Sequence, residues 1–312
     1  MQKVLMPTVA DELTDHYLSK QGYDVVTCAN PGMNEILTLA PDASAVMMVS
    51  KKLTNDLYAR MPNLKILARR GVGYDNIDVQ YAGAHGVWVT NTPGANAHSV
   101  AEMALMDMLM LARNFPQVDR RTRQQDWSGA YKLLGRDLTA ATVGILGFGA
   151  VGRELAHMLH ALGTRVLICN RTPPKTEDGT FVDRDTLFRE SDFVSVNVAA
   201  VPATIGSIGA REFAMMKPTA SLINLARGSI VDEAALITAL QAGTIAAAAL
   251  DVFAQEPLPA DSVLRQLDNV VLTPHIGANT VEANRQMAMV AAQEIDRVLR
   301  GQQPEHAVNA IM

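Results

Sequence analysis

Arg227, Glu256 and His275 each stand just past an apolar run: Arg227 follows SLINLA, Glu256 lies in ALDVFAQEPLP and His275 follows NVVLTP. If those runs are strands of one parallel sheet, the three side chains share its carboxyl edge, where open α/β sheets bind their ligands. A guanidinium there grips a carboxylate and puts positive charge beside a carbonyl oxygen as negative charge develops on it. A protonated imidazole supplies the proton for that oxygen, and a carboxylate on its second ring nitrogen favours the charged form and fixes the ring. The set suits reduction of a 2-oxo acid to a 2-hydroxy acid, with hydride delivered from elsewhere. Singly, each residue has a plainer reading, as an exposed arginine, a loop carboxylate and a satisfied structural histidine.

The stretch GILGFGAVGREL offers a source of that hydride. Gly147, Gly149 and Gly152 have GxGxxG spacing directly after an apolar run and at the start of a helical pattern. Gly147 makes the tight turn, Gly149 admits a pyrophosphate close to the backbone, and Gly152 lets the helix pack closely. With Phe148, Ala150 and Val151 they form a turn whose helix end presents bare N–H groups to phosphate. The next strand, VLIC, ends on Asn170, Arg171 and Thr172, where an acid would accept hydrogen bonds from the free ribose of NAD. Asn170 removes the repulsion that an acid would exert on a ribose phosphate. Arg171 and Thr172 add donors for it. NADP(H) is therefore the preferred cofactor and NAD(H) a possible one; the plainer reading has Arg171 pointing into water. Asp251, ending IAAAAL, is assigned to the nicotinamide carboxamide or to holding the ring, against a simple cap at a strand end.

These side chains need a scaffold of parallel strands, and the apolar pattern supplies two series. Residues 3–6, 23–28, 45–49, 64–68 and 87–89 read as strands, with helices at 10–19, 32–39 and 53–60. Ser99 and Glu102 form a capping-box pattern opening a helix to about Arg113, whose Met103, Met106 and Met110 share one face; core packing is its plainer reading and an interface between subunits the sharper one. A polar connection over 117–137 leads to a second series at 142–146, 166–169, 193–198, 221–225, 245–250 and 269–273, with helices at 150–162, 184–190, 209–216 and 232–241 and a last one over 280–299. Strands rich in Val, Ile, Leu and Ala without polar alternation point to burial on both faces.

The chain has 312 residues, more than one hydrophobic core usually holds, so two domains are expected. A net charge of −5 offers no footprint for nucleic acid, and the run MALMDMLMLA is too short to span a membrane. Cys28 and Cys169 make neither a disulfide framework nor a zinc site, so no metal is expected and the thiols read as small hydrophobes. The N-terminus reads as a strand rather than a signal peptide. A cytoplasmic setting is the expectation.

The stretches RRGVGYDNIDV (69–79), VTNTPGANAHSVAEMAL (89–105), GILGFGAVG (144–152), INLARGSIVDEAAL (223–236), ALDVFAQEPLP (249–259) and TPHIGANT (273–280) together resemble the D-isomer-specific 2-hydroxyacid dehydrogenase family, which includes glyoxylate/hydroxypyruvate reductases and phosphoglycerate dehydrogenase. The resemblance implies two doubly wound parallel-sheet α/β domains. A flavodoxin-like substrate domain would take 1–98 and the return at 285–312, and a Rossmann cofactor domain 99–284. It implies Arg227, Glu256 and His275 as catalytic residues, Val72 and Gly73 as backbone donors to the substrate carboxylate, and Asn76 as support for that loop. It implies a homodimer through 99–140, with the methionine-rich helix and Trp127 in the interface. Lys51 or Lys52 would favour an extra anionic group on the substrate, the plainer reading being solvated side chains.

Ala199 and Ala200 depart from the more polar segment of many relatives. No long C-terminal regulatory module is read here. The expected activity is NADPH-preferring reduction of glyoxylate or hydroxypyruvate to the D-2-hydroxy acid. The alternatives are a nucleotide-sensing regulatory protein of the same fold and a dehydrogenase acting on another small oxyanion, including a phosphorus oxyanion.

Overall fold

The computed structural model describes residues 1–8 and 12–311. The chain divides into two units, Met1–Asn96 with Ala278–Met312, and Ala97–Gly277. The divisions fall earlier than the expected 98/99 and 284/285. The reason is that the helices beginning at Ala97 and Val281 each belong whole to one unit.

The first unit is built on β1 (Lys3–Pro7), β2 (Asp24–Cys28), β3 (Ala45–Met48), β4 (Ile66–Arg69) and β5 (Trp88–Thr90), all parallel in the order β2-β1-β3-β4-β5. This is the flavodoxin-like order. Consecutive strand residues such as Val4, Leu5 and Met6 are all buried, because helices cover both faces. One face takes Ile36, Leu57 and Tyr58 from the helices Met33–Leu39 and Asp56–Arg60. The other takes the helix Val281–Leu299 through Ala288, Ala291, Ala292, Ile295 and Val298. Their three- and four-residue spacing makes one stripe, and the alanines let the helix lie close to the sheet. Thr280 starts that helix by accepting the N–H of Ala283 at 3.1 Å. Past its end, the buried Glu294 accepts the N–H of Glu305 at 2.9 Å, Ala307 bridges Thr90, and Val308 donates to Val89 at 2.9 Å. The tail thus closes the open edge of β5.

The second unit carries β6 (Thr142–Leu146), β7 (Arg165–Cys169), β8 (Thr180–Phe181), β9 (Phe193–Val196), β10 (Ser221–Asn224), β11 (Ala247–Leu250) and β12 (Val270–Leu272). The order is β12-β11-β10-β9-β6-β7-β8, all parallel, with the direction of winding reversing between β6 and β9. This is the doubly wound Rossmann pattern, and its reversal point is where such sheets bind ligands. One apolar layer centres on Phe188, Phe213, Leu222 and Leu236. The other sets Ala101, Ala104 and Met108 of the helix Ala97–Ala112 against Leu155, Ala156 and Leu159 of the helix Ala150–Ala161.

Several features differ from the sequence reading. The first helix is seen over Glu12–Lys20; residues 10 and 11, where it was expected to begin, lie outside the described residues. The supposed connection over 117–137 holds helices at Phe115–Arg123 and Trp127–Tyr131, and a further short helix spans Val79–Ala84. Of the methionine face of the helix Ala97–Ala112, only Met110 packs against the core. Met106 is exposed and Met103 and Met110 are half-buried, because the small side chains of Ala101 and Ala104 take the inner face. Cys28 and Cys169 are unpaired, and burial pushes both thiols up, as befits small hydrophobes. Among the described residues no helix is long and apolar enough to cross a membrane.

Candidate active site

β6 runs into the glycine turn, and each glycine meets a different demand. Gly147 has φ of 97°, and a Cβ there would lie 2.7 Å from the carbonyl oxygen of Asn197. A Cβ on Gly152 would lie 2.3 Å from the oxygen of Gly147. The protein itself therefore requires these two to be glycine. Around Gly149 a Cβ would meet no atom within 4 Å, so open space lies at the start of the helix Ala150–Ala161. That space and the bare N–H groups of Ala150, Val151 and Gly152 fit a dinucleotide pyrophosphate.

Asn170 ties this turn to the end of β7. It accepts the N–H of Phe148 at 3.2 Å and donates to the carbonyl of Thr172 at 2.9 Å. Arg171 and Thr172 are exposed, and the Arg171 guanidinium makes no hydrogen bond or ion pair among the described residues. A cation at this position can meet a ribose phosphate without breaking an existing contact.

The ends of β10, β11 and β12 carry the other three residues, all in the second unit. Asn224, buried at the end of β10, accepts the N–H of Ala226 at 3.1 Å and donates to the carbonyl of Arg227 at 3.0 Å. It thereby shapes the loop that presents Arg227. The following Gly228 is pressed against the chain, since a Cβ there would lie 2.0 Å from the carbonyl of Phe253. Glu256 uses both carboxylate oxygens: one accepts the N–H of Phe253 at 3.1 Å, and the other lies 2.7 Å from Nδ1 of His275. With Nδ1–H donating to the carboxylate, Nε2 is left for a reacting group.

His275 itself has φ of 57°, in the left-handed region. A bulky residue there costs about 1–2 kcal/mol. The compensation comes from Asp251, only 1% exposed, which accepts the hydroxyl of Thr273 at 2.7 Å and the N–H groups of Ile276 and Gly277, both at 2.8 Å. The sequence reading gave Asp251 to the cofactor; the structure adds that its carboxylate holds the residues flanking His275. Asn224 and the loop-holding task of Asp251 were missed, although a polar residue closing an apolar strand was a visible signal for both. Asp107, on the helix Ala97–Ala112, is also 1% exposed, and its Oδ1 has no hydrogen-bond partner among the described residues. Burial, and after it the charge of Asp251, push the Asp107 carboxyl up to about 7.

In the first unit, Val72 and Gly73 follow β4. The N–H groups of both donate to nothing among the described residues, while Asn91 Nδ2 holds the Val72 carbonyl at 2.8 Å. Asn76 donates to the carbonyl of Lys51 at 3.0 Å, and Lys51 pairs with Glu35 at 2.9 Å. In the second unit a cavity of ≈ 390 Å³ lined by Gln117, Leu134, Arg136 and Asn269 lies at the amino ends of the sheet's strands, the edge opposite to that carrying Arg227, Glu256 and His275, and it is assigned no chemistry. Glu294, Glu305 and His306 bring ligand atoms within 4.8 Å of one another, but Glu294 is occupied by tail N–H groups and Glu305 pairs with Arg297 at 2.7 Å.

A family model described as D-isomer specific 2-hydroxyacid dehydrogenase, NAD binding domain, matches residues 105–277. The chain is 39% identical over 312 residues to the D-3-phosphoglycerate dehydrogenase of Archaeoglobus fulgidus, covering 98% of this chain but only 59% of that protein. It is 40% identical over 274 residues to the glyoxylate reductase of Thermococcus litoralis, covering 85% of this chain and 82% of the relative. Among solved structures, the NADPH-dependent glyoxylate/hydroxypyruvate reductase of Sinorhizobium meliloti in complex with citrate superposes with a TM-score of 0.86 at 31% identity, covering 99% and 98% of the two chains.

The buried acid beside Asp251 makes a measurable prediction. Below pH 3.8 Asp107 is protonated folded or unfolded; above it the unfolded chain ionises freely while the folded one resists until about 7, so stability is lost across that interval. Asp107→Asn should therefore be more stable than the parent by an amount that grows from about pH 4 to 7 and then levels, on the order of 2–4 kcal/mol. Urea unfolding across that range reads it. A gap independent of pH would show that Asp107 ionises as freely in the fold as outside it.

Proposed function

Because the chain belongs to the D-isomer specific 2-hydroxyacid dehydrogenase family, we propose that it reduces a small 2-oxo acid to the D-2-hydroxy acid, with NADPH preferred to NADH. The observation that carries this reading is the 2.7 Å contact of Glu256 with His275 in the unit that also bears the glycine turn. When bound, the reduced nicotinamide supplies the hydride to the carbonyl carbon. His275 gives the proton from Nε2 to the carbonyl oxygen, and Glu256 stabilises the charged ring before that transfer. Arg227 holds the substrate carboxylate and offsets negative charge on the reacting oxygen. The family resemblance gives the N–H groups of Val72 and Gly73 to the substrate carboxylate. Glyoxylate and hydroxypyruvate are the first substrates to test, since the relatives above carry those names.

The cofactor preference rests on Arg171, which pairs with no acid among the described residues and stands beside Asn170, at the place where an acid would select NADH. We also place a homodimer interface on the outward face of the helix Ala97–Ala112 and of residues 113–134. Met106, Leu109, Phe115, Trp127 and Leu134 are exposed there, an apolar cluster that solvent alone does not favour.

Three measurements test these points. His275→Gln should lower kcat by about 10²- to 10⁴-fold while the dissociation constant of NADPH stays within about threefold; unchanged turnover would remove His275 from the chemistry. Arg171→Ala should cut the kcat/KM ratio of NADPH over NADH by about tenfold; a parent enzyme that favours NADH contradicts the cofactor assignment. Sedimentation equilibrium should give twice the chain mass of 33.6 kDa for the parent and the single mass for Leu109→Asp, a monomeric parent being the contrary result.

A further inference from the structure

Arg70 is the most deeply buried cation of the first unit, 6% exposed, and no carboxylate pairs with it among the described residues. Its backbone N–H extends the ladder to the carbonyl of Met48 at 2.8 Å, so it sits at the carboxyl edge of the sheet, directly before the Gly71–Gly73 loop. One terminal nitrogen donates to Oδ1 of Asn284, whose own Nδ2 donates to Asn279 at 3.0 Å. Its Nε has no acceptor among the described residues. By contrast Arg136, Arg184 and Arg297, all more exposed, are paired with Asp192, Glu212 and Glu305. A buried guanidinium that is neither paired nor fully hydrogen-bonded is destabilising by itself, and such groups are kept where an anion arrives to complete them. Burial also holds its pKa below the usual arginine value, with no acid offsetting the shift.

The backbone next to it has the matching need. Val72 and Gly73 present two consecutive N–H groups without acceptors among the described residues, while the carbonyls of Gly71 and Val72 are held by Thr92 N–H at 3.1 Å and by Asn91 Nδ2 at 2.8 Å. Arg70 and Val72 are two residues apart, so their Cα atoms are separated by no more than about 7 Å. With so short a path along the chain, a monoanion on those N–H groups lies in the field of the guanidinium.

We propose that Arg70 is a specificity-determining residue for the carboxylate of the substrate: its buried charge, unpaired among the described residues and two positions before Val72, is neutralised only when a small carboxylate binds. This rests on the reading that Val72 and Gly73 receive the 2-oxo acid carboxylate. Arg70 acts through the field it sets at that loop and takes no part in proton or hydride transfer.

Three variants separate charge from packing. Arg70→Met removes both charge and hydrogen bond, Arg70→Gln keeps a donor for Asn284 without charge, and Arg70→Lys keeps the charge. For glyoxylate reduction, Met and Gln should each raise KM by about tenfold or more with kcat changed less than about twofold, while Lys stays within about threefold of the parent. NADPH affinity should not move, and the ligand-free Met variant should melt no lower than the parent, because an unpaired buried charge has been removed. Parental KM in the Gln variant would reduce Arg70 to a hydrogen-bonding partner of Asn284 and overturn the proposal. So would a Met variant that melts well below the parent and loses kcat and NADPH affinity together with KM. If the parent itself fails to reduce 2-oxo acids, the proposed reaction fails instead, a distinct result.

Discussion

Asp251 accepts the hydroxyl of Thr273 and the N–H groups of Ile276 and Gly277, and so holds His275, which lies between them, at a backbone angle that a histidine adopts only under constraint. The rest of the site depends on this. With the backbone fixed, the imidazole has one carboxylate within reach of Nδ1, that of Glu256, itself braced by the N–H of Phe253. The three bonds into Asp251 also satisfy a carboxylate that is almost wholly buried, since each N–H or O–H replaces a hydrogen bond to water that it has lost. Its neighbour Asp107 has no such donor on Oδ1, and it is the one pushed towards the neutral form.

A parallel sheet makes this economy possible. β10, β11 and β12 lie side by side in the second unit, so the loops carrying Arg227, Glu256 and His275 emerge at one edge, and the glycine turn after β6 opens at the same edge two strands from β10. Polar residues at the strand ends, Asn224 and Asp251, turn inward to hold the loops. The charged groups further along face outward. In the first unit the same edge rule brings Arg70 and the Val72–Gly73 donors together.

Much of this was legible in the sequence, because buried parallel strands write themselves as short apolar runs and the glycine motif has a stated physical reason at each position. All five strands of the first sheet and six of the seven in the second were marked; β8, only two residues long, gave no pattern to find. The contact of Glu256 with His275 was likewise readable from strand ends, and Arg227 follows the neighbouring strand end. Less legible was anything set by tertiary packing. Alanines at 101 and 104 look weaker than the methionines beside them, yet smallness is what lets the helix approach its neighbour, so the sequence left the face of Met103, Met106 and Met110 open between core and interface. Asp251 announced a polar role but not its partners, because backbone donors have no signature of their own. The short helices after Asn114 were hidden by their polarity, and no periodicity could reveal that the tail would close the edge of β5.

The most direct test is the structure of the protein with NADPH and oxamate, an unreactive analogue of a 2-oxo acid. The account requires Nε2 of His275 within about 3 Å of the oxygen that stands for the reacting carbonyl, with Glu256 still on Nδ1 and the Arg227 guanidinium on the carboxylate. An imidazole turned from that oxygen, or another donor in its place, would contradict it.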